Sequence, residues 1–216
     1  IKRKSPAQDE PWHYFQPFVE SDNQLLDLID DHYRLLVKSL RAGEQVRAGF
    51  EAAWLAHAIV DGLTPAHHFP YEEKLTELRS GAGLESRTSL KQKIILPGST
   101  RSIQIGQNWK FWGPTGLFIT HAGFEWGVAT IIKPLSLKAG LPHEEDIKEL
   151  ETLGPIQLFV HAAKEIAALG IYDSFIKSGW TPKLARKVRR QLAPTIVRTV
   201  TLFWYGAARE AQKDAK

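Results

Sequence analysis

The sequence contains no cysteine, which excludes both disulfides and thiolate metal ligands. Any zinc bound by these 216 residues must therefore be held by histidine and carboxylate side chains. Long apolar runs are also lacking: none reaches the about 18 residues that a membrane-spanning helix needs. Nor is one sign of charge in large excess, because the net charge is only +4. That value permits an anionic ligand without demanding nucleic acid or a membrane.

What is present is the composition of an ordinary globular protein, with 43% hydrophobic and 24% charged residues. The length suits one domain, residues 1–216, with a sizeable core. Apolar residues recur at helical spacing over 21–43 and over 44–62, which predicts an antiparallel helical pair. Helical patterns resume after residue 115, and Pro194 is expected to kink or divide the last helix. The sequence therefore predicts an all-α, single-domain multi-helix bundle.

Residues 75–112 have a different character, mixing glycine, serine and proline with short β-prone runs. The runs Ile94–Leu96 and Ile103–Ile105 are short enough for a small hairpin. We therefore predict one long loop insertion here. Loops of this length inside compact domains are usually functional or disordered.

The stretch WLAHAIVDGLTPAHHFPYEE, residues 54–73, carries the densest cluster of candidate ligands. His57 and Asp61 stand at i and i+4, so they project from one helical face and can hold one ion between them. Pro65 is expected to end the helix, and His67 follows where the chain turns back. This pattern fits two neighbouring metal ions with the carboxylate bridging them.

Other histidines stand near carboxylates elsewhere in the sequence. His-x3-acid pairs occur at His121 with Glu125 and at His161 with Glu165. Near the start of the sequence, His13 stands in EPWHYFQPF, and Asp9 comes just before this stretch. Histidine and carboxylate without thiolate favour a catalytic over a structural zinc site. Taken singly, each pair has a simpler alternative, a surface hydrogen bond or weak ion pair. His32 and His143 are predicted on polar helix faces, and His68 is predicted to stay outside the metal site.

Taken in order, these motifs resemble those of the zinc-dependent phospholipase C family, whose central His-x3-Asp-x5-His motif is shared by single-strand-specific nucleases. HAIVDGLTPAHH matches that central motif, HAGFE resembles the family's later His-x3-Glu pair, and HYFQP resembles an upstream stretch. The matching positions are His13, His57, Asp61, Pro65, His67, His121 and Glu125. LFVHAAKEIAALG and RTVTLFWYGA resemble helices of the family that carry no ligand, so the resemblance favours His121–Glu125 over His161–Glu165.

The resemblance implies a helical fold of the phospholipase C and nuclease type, with two zinc ions rather than three. The ligands it implies are His13, His57 and Asp61 for one ion, and His67, His121 and Glu125 for the other, with Asp61 bridging or nearby. A third ion is not expected, because the family's N-terminal tryptophan and the histidine after it have no counterpart before residue 13. The N-terminal part of the family domain is thus expected to be absent. Secretion or a cell-envelope location is implied, although no signal peptide is visible.

The activity implied is metal-dependent hydrolysis of a phosphodiester, in which a water molecule activated by zinc attacks a phosphate ester of a phospholipid or similar substrate. Asp61 would position the ions, and Asp9 could orient the water as general base. Two alternatives stay open: a single-strand nuclease-like activity, and a metal-depleted helical protein that binds without catalysis. The sequence indicates no protein partner.

Aromatic and basic residues near residue 110 predict where the substrate would be recognised. Trp109, Phe111 and Trp112 stand beside Lys110, with Lys91, Lys93 and Arg101 upstream. Such residues can stack on a nucleobase or lie at a membrane interface. An equally good alternative is that the rings pack this segment onto the helices. The basic run KLARKVRR, residues 183–190, is interpreted as a solvated helix face, with anionic lipid or nucleic acid as the lesser alternative.

Overall fold

The computed structural model describes residues 14–83 and 89–213, with only the backbone described for Leu90 and Lys93. All regular structure within these two ranges is helical, so the all-α prediction is confirmed. The α-helices in chain order are α1 Gln24–Arg41, α2 Gln45–Gly62, α3 Tyr71–Leu78, α4 Leu90–Ile94, α5 Arg101–Trp112, α6 Leu117–Ile132, α7 Glu144–Ala168, α8 Ile171–Ser178, α9 Pro182–Lys187 and α10 Ala193–Lys213. In the part of the chain described here, no helix is both long enough and apolar enough to cross a membrane.

The main core lies where α1, α2, α7 and α10 meet. Helices α1 and α2 form the predicted pair, because the short connection at Gly43 and Glu44 returns the chain antiparallel to itself. Gly43 has a φ of +69°, a left-handed conformation that glycine adopts without strain. Leu25, Ile29 and Leu55 are among the fully buried residues of this core. Their burial fixes the position of α2, whose last two turns carry the candidate ligands His57 and Asp61.

The C-terminal end of α2 is held against α7 by the absence of a side chain at Gly62. A Cβ atom at this position would lie 2.6 Å from Cζ of Phe159 and 2.4 Å from Cδ2 of Leu25. Only glycine allows so close an approach. The turn after α2 therefore starts from a rigid point of the core.

The prediction of a long loop over 75–112 is wrong, because the described residues of this segment are largely helical. Ser89 begins α4 with a capping box, in which the Gln92 amide donates to Ser89 Oγ at 3.3 Å and the Ser89 amide donates to Gln92 Oε1 at 2.9 Å. Thr100 caps α5 by accepting the Ile103 amide at 3.3 Å. The predicted hairpin does not form, since Ile94 ends α4 and Ile103–Ile105 lies within α5.

Helices α3, α5 and α6 pack around a second, smaller apolar cluster. Its buried members are Tyr71, Leu75, Leu96 and Phe111. Because Phe69 and Tyr14 pack against it as well, this cluster adjoins the turn that follows α2. It attaches α5 to the side of the molecule that bears the candidate metal ligands.

Two irregularities in the long C-terminal helices have local causes. Within α7 the chain kinks at Gly154, which has a φ of +74° and is followed by Pro155. Between α9 and α10, residues Val188–Leu192 form a π-helical turn. Pro194 follows this turn after one residue, Ala193, and lacks the N–H of a regular helical hydrogen bond. The predicted interruption near Pro194 is thus confirmed.

Candidate metal centre

The turn that follows α2 fixes the position of His67. Pro65 begins a single 3₁₀ turn, Pro65–His68, and the amide of His67 donates to the Thr64 carbonyl at 2.8 Å. The ring is held as well, since its Nδ1 lies 3.0 Å from the backbone oxygen of Asp61. His67 is only 5% exposed, so its ring is fixed by both packing and hydrogen bonding.

Helix α6 supplies the opposite wall of the cluster. His121 and Glu125 stand one helical turn apart, and His121 Nε2 lies 3.1 Å from Glu125 Oε1. His67 Nε2 approaches the same oxygen at 2.9 Å. The three ligand atoms lie within 4.8 Å of one another, a spacing that one metal ion can bridge. Residues 58 positions apart in the chain thereby converge on a single point.

The proton positions on His67 follow from its two partners. A backbone carbonyl only accepts hydrogen bonds, so Nδ1 of His67 must carry a proton and donate it to Asp61. In the neutral ring, Nε2 then presents a lone pair toward the Glu125 carboxylate. Two lone pairs facing each other at 2.9 Å repel unless a proton or a metal ion lies between them. A carbonyl holding the other ring nitrogen in this way is typical of histidines that bind metal through Nε2.

Glu125 remains ionised in this setting. With a proton on Nε2 of His121 and of His67, the hydrogen bonds from these rings hold the pKa of its carboxyl well below the usual range, against the opposing effect of burial. The side chain is 44% exposed, whereas those of His67 and His121 are 7% and 12% exposed. The cluster is therefore open to solvent on the carboxylate side and closed on the imidazole side.

The other ring nitrogen of His121 has less support. Its Nδ1 atom is buried and has no hydrogen-bond partner among the described residues. Histidines that bind a metal through Nε2 usually donate the proton of the other ring nitrogen to a partner. The place of His121 in the candidate site therefore rests on the 3.1 Å approach of its Nε2 atom to Glu125.

Two tyrosines line the cluster. Tyr14 and Tyr71 stack on each other at 5.6 Å, and Tyr14 presents an edge to His67 at 5.4 Å. Tyr71 lies 5.0 Å from the ring of His121, and the two imidazoles stack at 5.1 Å. Four rings therefore restrict the side-chain rotamers of both histidines. Sequence reasoning missed the tyrosines as site residues, although Tyr14 directly follows His13.

His57 and Asp61 form a second pair beside the cluster. His57 Nε2 lies 3.1 Å from Asp61 Oδ2, and Asp61 Oδ1 lies 4.0 Å from Nδ1 of His67. The Asp61 carboxylate is thus located between the two histidines, on the Nδ1 edge of His67. Trp54 packs edge-on against His57 at 5.9 Å. The other members assigned to this part of the site, His13 and Asp9, lie outside the described residues, so their roles remain predictions.

The remaining histidines are located away from the cluster. His161 Nδ1 donates to Glu149 at 2.8 Å in an exposed group that includes Glu165. His68 turns away from the cluster and donates from Nε2 to the Gly62 carbonyl at 2.9 Å. Burial lowers the pKa of His68 to about 4, so its ring is neutral at physiological pH.

One histidine prediction is wrong. His32 lies in the core, 5% exposed, rather than on a polar helix face. Its Nδ1 donates to Glu51 Oε2 at 2.6 Å, and Glu51 is fully buried and also ion-paired with Arg47. Trp54 stacks on the His32 ring at 5.6 Å. The sequence did hold a signal: Glu51 precedes Leu55 and Ala58 at i+4 and i+7, which places its carboxylate on the buried face of α2.

Comparison of the chain with protein-family models, with curated proteins and with solved structures returned no match. The resemblance to the zinc-dependent phospholipase C family therefore rests on the motifs alone and stays a prediction.

Proposed function

We propose that this protein is a divergent, phospholipase C-like zinc phosphodiesterase that hydrolyses phospholipids or related phosphate esters. The observation that supports this best is the approach of two imidazole Nε2 atoms, from His67 and His121, to one oxygen of Glu125. Two histidines and one carboxylate are a donor set of catalytic zinc sites, which leave a position open for water or substrate. The exposed side of Glu125 is where such an opening would lie.

The donor set fits zinc on chemical grounds. The imidazole nitrogens and the carboxylate oxygen are borderline and hard ligands, and no thiolate competes because the chain has no cysteine. When bound, zinc would supply Lewis-acid chemistry, making water acidic enough to attack near neutral pH and offsetting negative charge on the phosphoryl oxygens. His67, His121 and Glu125 would hold this ion.

The protein's own residues prepare the site for that chemistry. The Asp61 carbonyl keeps the proton of His67 on Nδ1, so that Nε2, beside Glu125, can present its lone pair to a cation. Tyr14 and Tyr71 close the imidazole side, so substrate would approach from the side of Glu125. The pair His57–Asp61, together with His13, is our proposed second zinc site, with Asp9 as general base. Asp61 would then position ligands of both ions, one through its carboxylate and one through its carbonyl.

Chelation provides the first test. We expect protein purified without chelator to contain zinc and to hydrolyse bis-p-nitrophenyl phosphate. Dialysis against a chelator is expected to lower the rate by at least about 100-fold, and added zinc is expected to restore it. The readouts are zinc per chain from elemental analysis and the rate of p-nitrophenol release.

The outcomes separate the proposal from its two alternatives. Less than one zinc per chain, unchanged by His57→Ala, together with no turnover, would favour the non-catalytic helical protein. Cleavage of single-stranded DNA faster than cleavage of lecithin would favour the nuclease. The proposal requires both zinc and turnover, with lecithin as the better substrate.

A further inference from the structure

Helix α5 presents an apolar stripe to solvent. Ile105, Trp109 and Trp112 stand at i, i+4 and i+7 and therefore lie along one side of the helix. They are 64%, 69% and 37% exposed. Their neighbour Phe111 is buried against α3, so the packing of this segment needs Phe111 but not Trp109. Of the two roles considered for the aromatic residues here, packing explains Phe111 and leaves Trp109 unexplained.

The stripe continues onto α6 and α4. Trp112 lies 4.7 Å from Phe118 on α6, and its Nε1 donates to the Ile94 carbonyl at the end of α4 at 2.7 Å. Ile119 and Trp126 follow on α6, 39% and 78% exposed. We define the aromatic surface as Ile105, Trp109, Trp112, Phe118, Ile119 and Trp126. An exposed apolar surface of this kind usually marks an interaction site.

The segment that carries this surface, residues 89–143, has almost only positive charges, whereas the neighbouring helix α3 carries Glu72, Glu73 and Glu77. From residue 89 to residue 143 the sequence contains one carboxylate, Glu125, which belongs to the metal centre. The basic residues in the same segment are Lys91, Lys93, Arg101, Lys110, Lys133 and Lys138. The side chains of Arg101 and Lys110 are exposed and lie on α5 itself. A partner of this surface would therefore combine apolar area with negative charge.

The aromatic surface borders the metal centre. Phe118 and Glu125 are seven residues apart on α6 and therefore face the same side of that helix. Ile119 and Trp126 have the same spacing, and each follows one of these two residues, so they lie on the adjacent side of α6. A bilayer that covers the aromatic surface would thus lie along the side of α6 that carries Glu125.

We propose that the aromatic surface docks on a phospholipid bilayer that contains anionic lipid. Tryptophan is enriched at membrane interfaces, and basic residues add attraction to anionic headgroups. The exposed isoleucines decide against single-stranded nucleic acid, because aliphatic side chains offer no face for stacking on bases but gain free energy on entering the acyl region. This docking does not depend on the proposed function.

Vesicle sedimentation tests the docking. We expect the full chain to bind vesicles of equal parts phosphatidylcholine and phosphatidylserine, and Trp109→Ala to weaken binding by about tenfold. Trp109→Phe is expected to retain most of the binding. Arg101→Glu is expected to weaken binding to these vesicles but not to vesicles of phosphatidylcholine alone. Added salt is expected to weaken binding to the vesicles with phosphatidylserine as well, because it screens the attraction to anionic headgroups.

Phe18→Ala is the matched control, since Phe18 is 70% exposed, as Trp109 is, but lies outside the aromatic surface. Binding lost equally in both variants, or unchanged in Trp109→Ala, would overturn the proposal. So would a wild-type chain that ignores vesicles, or one that binds single-stranded DNA through Trp109 instead.

A failure of the docking can be told from a failure of the proposed function. Trp109→Ala should retain wild-type zinc content and wild-type hydrolysis of the soluble substrate bis-p-nitrophenyl phosphate. Vesicle binding by a chain without zinc or turnover would leave the docking intact and reject the enzyme. Turnover of the soluble substrate without vesicle binding would support the enzyme and reject the docking.

Discussion

Replacing His67 with alanine is expected to lower phosphodiester hydrolysis by more than about 100-fold and to remove bound zinc. Changes to residues that merely support a metal ligand already cost about 10- to 100-fold, so loss of a ligand should cost more. His67 is the residue through which the two walls of the site meet, with Glu125 at 2.9 Å and the Asp61 carbonyl at 3.0 Å. The measurements are zinc per chain and the hydrolysis rate, with circular dichroism to check folding.

Two further variants keep this test interpretable. Glu125→Gln preserves size at a partly exposed position, so its loss of zinc cannot be ascribed to unfolding. His161→Ala is the matched control, because His161 has a carboxylate at i+4 and a second at 2.8 Å but lies in an exposed group elsewhere. Equal effects of His67→Ala and His161→Ala, or retention of zinc in both His67→Ala and Glu125→Gln, would contradict the assignment.

Replacing Glu51 with alanine is expected to lower the free energy of unfolding by about 3 to 5 kcal/mol without changing the zinc ligands. Glu51 is fully buried and accepts a hydrogen bond from His32 at 2.6 Å. Removing the Glu51 carboxylate deprives the buried His32 imidazole of its hydrogen-bond acceptor. The free energy lost in this way exceeds the net contribution of the intact pair to stability. Urea unfolding followed by circular dichroism measures the change.

The exposed pair Arg34–Asp30 provides the comparison. It has the same i, i+4 spacing as Arg47–Glu51 but lies at the surface, with Arg34 73% exposed. Asp30→Ala is therefore expected to change the unfolding free energy by no more than about 0.5 kcal/mol. In the double variant with His32→Ala, the cost of Glu51→Ala should shrink. An additive double variant would show that the two residues are energetically independent.

Much of the candidate site could be predicted from the sequence, because its geometry is largely local. The i, i+4 spacing of His121 and Glu125 and the helix end at Pro65 follow from short-range rules. The closeness of the two walls could not be derived in that way. It depends on α6 packing against the turn after α2, a contact between residues far apart in the chain, and the expectation of it came from the family resemblance.

The two wrong predictions, the loop over 75–112 and the surface position of His32, have equally specific causes. The loop prediction for residues 75–112 rested on glycine, serine and proline mixed with short β-prone runs, all of which disfavour helices on average. The capping interactions of Ser89 with Gln92 and of Thr100 with Ile103 outweigh those averages. His32 was misplaced because a histidine between aspartate and tyrosine resembles a surface residue, and its buried partner Glu51 lies on another helix. Tertiary packing determines whether such a residue is buried, and the local sequence does not reveal that packing.

The most direct test of the proposed metal centre is a crystal structure of the zinc-loaded protein with anomalous scattering measured at the zinc absorption edge. The account predicts a zinc peak about 2 Å from Nε2 of His67, Nε2 of His121 and the carboxylate of Glu125. An ordered crystal with no zinc at these three residues, and their imidazoles still hydrogen-bonded directly to Glu125, would contradict it.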